Sequence, residues 1–150
     1  MKNELQTTHS DKLLNSIYKN VQMGLSAIHN IITIITDEEL RKCLLKQKNI
    51  YEDVSRTCEG YGKKFDIQLT DVNILLKATS YVSIKTKASI NKNAHHHADM
   101  LIQGTTMGVT DLIKDTSIFS MAHSQIIALA NKMKDSEEAF IESLKVFLTQ

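Results

Sequence analysis

The densest run of potential ligands in the chain is His95-His96-His97-Ala98-Asp99. In a helix, His95 with Asp99 at i,i+4 and His96 with Asp99 at i,i+3 each place an imidazole and a carboxylate on one face, the beginning of a zinc or nickel site. A closed shell needs further ligands from elsewhere in the fold, so the expectation for His95, His96 and Asp99 is exposed side chains near a helix N-terminus, with metal binding as the alternative. Three consecutive helical residues sweep most of the circle, so one of them must face inward. His97, next to Ala94, Ala98 and Leu101, is the expected buried member.

Other chemistries fare worse. A di-iron centre in a helical bundle takes a Glu from each of two helices and a Glu-x-x-His pair from each of the others. None of Glu4, Glu38, Glu39, Glu52, Glu59, Glu137, Glu138 and Glu142 has a histidine three residues on, and no carboxylate falls between Asp11 and Asp37. Gly60-Tyr61-Gly62-Lys63 lacks the preceding strand and the GxxxxGK[ST] spacing of a phosphate loop and reads better as a helix end. His29 and His123 border apolar stripes and are expected as hydrogen-bonded boundary residues. Gln47 sits inside an apolar stripe, where a buried amide would need partners. No nucleophile elbow, HExxH or dinucleotide fingerprint is present, so no enzymatic activity is expected. No cofactor is expected either, with zinc, nickel or iron as the alternative.

The elements that position these residues are helical. The chain of 150 residues contains no proline, the residue that most reliably interrupts a helix. Apolar residues from Leu14 through Ile17, Val21, Leu25, Ile28 and Ile35 keep helical spacing and predict a first helix over about 11–36, preceded by a flexible tail at 1–10. Thr36-Asp37-Glu38-Glu39 reads as a capping box opening a second helix, with Leu40, Leu44, Gln47, Tyr51, Val54 and Cys58 on one stripe and a glycine C-cap at Gly60 and Gly62. A weaker stripe, including Tyr81 and Val82, predicts an extra amphipathic helix over about 70–91. Asn91-Lys92-Asn93 breaks it, and a fourth helix runs over about 94–114. Beyond Ser117 a last stripe starts at Phe119 and Ala122 and continues through Ile126, Leu129, Met133, Phe140 and Leu144. The expected architecture is all-α, an antiparallel four-helix bundle with one extra helix, five in total, in a single domain over 11–150. Gly104 and Gly108, four apart, are expected to face a neighbouring backbone closely, with Gly24 as the partner surface.

Composition narrows the partners. Lys plus Arg number 18 against 17 Asp plus Glu, and aromatic residues make up 5%. There is no global positive field and there are few stacking platforms, so nucleic acid is not an expected partner. The longest aliphatic stretch, Ile28 to Ile35, is far too short and too polar to span a bilayer, which makes a soluble, cytoplasmic protein without membrane association the expectation. Cys43 and Cys58, on one helix, would stand about 22 Å apart and cannot bridge.

Residues 98–114, ADMLIQGTTMGVTDLIK, resemble a helix found in small, uncharacterised ferritin-like bacterial proteins, a resemblance that extends over most of the chain. It implies a ferritin-like bundle and carries no activity; the di-iron ligands of the metal-binding relatives are missing here. The functional expectation is a non-enzymatic structural or interaction-mediating protein, self-associating through exposed apolar surface or binding a protein partner. A metal-binding bundle with non-standard His and Asp ligands is the alternative.

Overall fold

The computed structural model describes residues 2–70 and 93–149. They form four α-helices, α1 (Lys2–Ile32), α2 (Glu38–Lys64), α3 (Ala94–Ile118) and α4 (Ser124–Lys145), followed by a 3-10 turn at Val146–Thr149. The helix expected over about 70–91, and with it the count of five, lies outside the described residues. None of the described helices is long and apolar enough to cross a membrane.

Helix ends depart from expectation for identifiable reasons. The tail expected at 1–10 is, from Lys2 onward, the opening of α1. It is tied down by the α3–α4 turn: Ser10 is buried and its Oγ accepts from His123 N at 2.9 Å, while His9 Nδ1 accepts from Met121 N at 3.0 Å. A polar stretch without an apolar stripe is thus helical because it satisfies another segment's free amides. At its other end α1 stops at Ile32, short of Thr36. Arg41 reaches back there, donating from Nη1 to Ile32 O and from Nη2 to Ile35 O, each at 2.9 Å, and so meets carbonyls that no helical amide reaches.

The cap of α2 is Asp37, one residue beyond the expected Thr36, with its Oδ1 accepting from Leu40 N at 2.9 Å. The expected glycine C-cap is not used. Helix α2 runs through Gly60 and Gly62 to Lys64, no described glycine has a positive φ, and the left-handed residue is Asp66 at φ 54°. Gly62 is needed for space instead, since a Cβ there would lie 3.0 Å from Ile67 O as the chain folds back. Asn93 caps α3 by accepting from His95 N. Helix α3 continues past Lys114 to Ile118, which leaves Phe119 and Ala122 in the turn before α4 rather than on the last helix.

Contacts between helices fix their directions. Gln22 donates to Ser55 and Asn15 donates to Gln68 O, so α1 and α2 are antiparallel. Ser16 donates to Asp115 and Asn20 to Gly108 O, so α1 and α3 are antiparallel as well. Lys64 donates to Gln125 and Tyr51 to Glu137, which makes α2 and α4 antiparallel. The order is up-down-down-up, with α1 packed on each of the other three helices and α2 diagonal to α3. The core between them is aliphatic, with Leu13, Leu14, Ile17, Leu44, Leu112, Ile126 and Leu144 fully buried. At roughly 1.5 to 3 kcal/mol for each such side chain, this burial is the main stabilising term.

The glycines sort differently from expectation. A Cβ on Gly24 would stand 2.6 Å from the Tyr51 ring of α2, and one on Gly108 would stand 2.8 Å from Asn20 Oδ1 of α1, whereas at Gly104 nothing lies within 4 Å. Gly24 and Gly108 therefore make room for two particular side chains, and Gly104 is not part of a close contact. Gly104→Ala should stabilise the fold by up to about 1 kcal/mol through helix propensity, whereas Gly24→Ala should destabilise it by about 1 to 3 kcal/mol through overpacking. Urea unfolding of both variants measures the difference; equal effects would show that Tyr51 yields freely.

Candidate functional site

Glu137 occupies a core position of α4, on the same stripe as Met133 and Phe140, and is only 1% exposed. A carboxyl group in such a place must be hydrogen-bonded, neutralised or paired with a cation. Here it is hydrogen-bonded by neutral donors. Tyr51 Oη of α2 donates to Glu137 Oε2 at 2.8 Å, and Asn20 Nδ2 of α1 donates to Oε1 at 2.9 Å. Asn20 is itself set in place by α3, because Nδ2 also lies 3.1 Å from Gly108 O, where a side chain on residue 108 would crowd the amide. Thr105 of α3 and Gln47 of α2, both buried, lie near the Tyr51 hydroxyl. Gln47 Nε2 is left without a hydrogen-bond partner. All four helices thus meet at one polar cluster within a mainly aliphatic core.

The electrostatics follow from burial. Loss of water pushes the Glu137 carboxyl up to about 7, with the Tyr51 and Asn20 hydrogen bonds pulling the other way. Burial, reinforced by the negative charge of Glu137, holds the Tyr51 phenol well above its ordinary range, so it remains a donor. Near neutral pH the pair consists of a permanent O–H donor and a carboxyl that exchanges its proton.

This cluster forms the floor of a cavity of about 350 Å³ between α1 and α3. Gly24, Ala27, Ile28, Leu101 and Phe140 line its interior, with Met23, Met100, Met107 and Gly104 around it. Lys19, Asp111 and Asp115 supply the charged lining besides Glu137. The volume falls within the range of small-molecule sites, and an apolar wall with a few convergent polar groups is their usual composition. Gly104, open above its Cα, borders this space.

The histidine run lies elsewhere. His95 is exposed and its Nδ1 stands 2.9 Å from Leu148 O, while Asp99 accepts from Gln103. Among the described residues no three His, Cys, Asp or Glu side chains converge so as to hold a metal ion, so His95, His96 and Asp99 are not brought together as a shell. His97 is fully buried, as its position beside Ala98 implies, with both ring nitrogens unpartnered. Burial and the neighbouring His96 lower its pKa, which keeps it neutral. Cys43 and Cys58 are free thiols, and burial pushes Cys58 up to about 12, out of the reactive range.

Asn20, Tyr51 and Glu137 are not among the residues that motif and spacing single out. The one available signal is Glu137, a carboxylate filling the heptad place between Met133 and Phe140 on the cleanest apolar stripe of the chain. Its hydrogen-bond partners, Asn20 and Tyr51, come from two other helices at large sequence separation and carry no mutual pattern. Compared with protein-family models, with curated proteins and with solved structures, the chain matches none.

The raised Glu137 pKa has a definite thermodynamic sign. Below about pH 4.5 both folded and unfolded chains hold the proton; between there and about 7 only the folded chain does, so this group's contribution to stability is lost as pH rises through that window. The loss amounts to about 3 kcal/mol. Glu137→Gln keeps the shape and removes the titration. The stability of wild type relative to Glu137→Gln should therefore fall by about 3 kcal/mol from pH 4 to pH 8, as read by urea unfolding at both pH values. A constant or rising difference contradicts the burial of an unpaired carboxyl.

Proposed function

We propose that this chain is a non-enzymatic, small-molecule-binding helical bundle whose site is the cavity above Glu137. The observation that carries the reading is a carboxyl group placed at the floor of an apolar cavity of about 350 Å³, 1% exposed and held by donors from two other helices. A core built for stability alone favours an apolar residue at such a position, since a buried ionisable group costs free energy. Among the described residues the cavity lining holds no histidine or cysteine to act as nucleophile or as the base that activates one, which weights the reading toward binding.

The ferritin-like style implied by residues 98–114 is consistent with this reading. The end of α2 is tied to the start of α4 through Lys64 and Gln125, and the start of α3 to the end of α4 through His95 and Leu148. The end of α2 and the start of α3 therefore lie at opposite ends of the bundle, as they do in a ferritin-like arrangement. In that family style the bundle centre is where ligands are held; here its polar groups are Asn20, Tyr51, Thr105 and Glu137. Self-association into a homo-oligomer is a further part of the proposal, supported by the exposed Met107, Ile113 and Ile118 on α3.

Occupancy is tested with 1-hexanol, a neutral molecule that fits the volume. Titration at about pH 5.5, where Glu137 is largely protonated, should give saturable amide shifts in α1, α3 and α4 around the cavity. Gly104→Leu, which places a side chain in open space at the cavity, should weaken binding by about tenfold or more while leaving the helical content unchanged. Absence of saturable shifts in wild type, or full binding in Gly104→Leu, would refute the reading.

A further inference from the structure

The lining of the cavity has an asymmetry of charge. Among the described residues, Glu137, Asp111 and Asp115 stand against one lining cation, Lys19, which is exposed, whereas Glu137 lies at the buried floor. Asp115 is turned toward Ser16, whose Oγ donates to it. Glu137 receives one hydrogen bond on each oxygen and both donors are neutral. An ionised carboxylate accepts about four hydrogen bonds, so two acceptor positions remain, and no cation among the described residues meets them.

Resting on the ligand-binding reading above, we infer that the cavity takes an organic cation, an alkylamine or arylalkylamine whose ammonium group sits against Glu137 and whose hydrocarbon body lies along Met23, Met100 and Leu101. Each alternative class meets a physical obstacle. An anion would face the carboxyl floor with Lys19 as the one lining cation among the described residues. A neutral ligand leaves the buried charge uncompensated whenever Glu137 is ionised. A hard divalent ion needs six or more oxygen ligands, and no three acidic or imidazole groups converge among the described residues. A monocation with a few N–H donors matches both the free acceptor positions and the apolar wall. The Tyr51 and Phe140 rings and the methionine thioethers are polarisable surfaces suited to the partly charged methylenes beside an ammonium group.

The chemistry of binding is a proton exchange without covalent change. The ammonium takes the place of the proton on Glu137, which passes to solvent. The groups lining the cavity that can respond are Lys19 from α1, Tyr51 from α2, Asp111 and Asp115 from α3, and Glu137 from α4.

The test uses the full chain with n-hexylamine and its neutral isostere 1-hexanol. At about pH 8, n-hexylamine should bind about tenfold or more tightly than 1-hexanol, and Glu137→Gln should remove that preference. In wild type at about pH 6, calorimetry in two buffers of different ionisation heat should show about one proton released per n-hexylamine bound and none per 1-hexanol. This second measurement holds even if Glu137→Gln does not fold. Equal affinities for amine and alcohol in wild type, an amine preference that survives in Glu137→Gln, or amine binding without proton release would each overturn the cation assignment while leaving the cavity a binding site. If neither compound binds saturably, the ligand-binding reading fails with it.

Discussion

An acidic side chain in the middle of a helical bundle, with no cation against it among the described residues, constrains everything around it. Glu137 is tolerated at 1% exposure because Tyr51 and Asn20 each give one of its oxygens a hydrogen bond. Those two donors in turn set what their neighbours can be. Tyr51 reaches the carboxyl across α1 only where Gly24 leaves no Cβ, and Asn20 reaches it only where Gly108 of α3 leaves its amide free. Two of the five glycines of the chain are therefore accounted for by one carboxyl group. The interaction also joins α1, α2 and α4 directly and α3 through the Gly108 carbonyl.

The cavity is a consequence of the same arrangement. Gly24 and Gly108 admit the Tyr51 ring and the Asn20 amide to the carboxyl, and the small residues Ala27 and Gly104 line the space that opens above it between α1 and α3, with nothing within 4 Å of a Cβ on Gly104. Elsewhere in the core, aliphatic side chains such as Leu13, Ile17 and Leu44 are fully buried. A void lined by thioethers and glycines loses dispersion contacts that a packed interior would make. A ligand restores those contacts and, if it carries positive charge, also compensates Glu137.

The helices themselves were legible because their apolar stripes have helical period and no proline interrupts them; the stripe through Leu40, Leu44, Gln47, Tyr51, Val54 and Cys58 is buried on α2, whose buried face ends on Gly62 rather than on the half-buried Tyr61. Ends were less legible. Residues 2–10 are helical through Ser10 and His9 serving the α3–α4 turn, a long-range interaction that no local pattern encodes. The glycines of α2 were misleading because glycine serves a left-handed cap and a close approach equally well, and at Gly62 the second applies. The site was visible only as one acidic residue out of place on an apolar stripe. His95, His96 and Asp99, which spacing favours, point to a site only if other elements bring ligands to them, whereas Asn20, Tyr51 and Glu137 acquire their meaning from tertiary contact alone.

Carbon-13 NMR titration of the Glu137 side-chain carboxyl measures the central claim directly. A group buried as this one is, with neutral donors only, should titrate with a midpoint near 7 and move together with the Tyr51 and Asn20 side-chain resonances. A midpoint near 4.3, the ordinary value for a solvated glutamate, would mean that water or a cation reaches the carboxyl in the free protein, and would contradict the account.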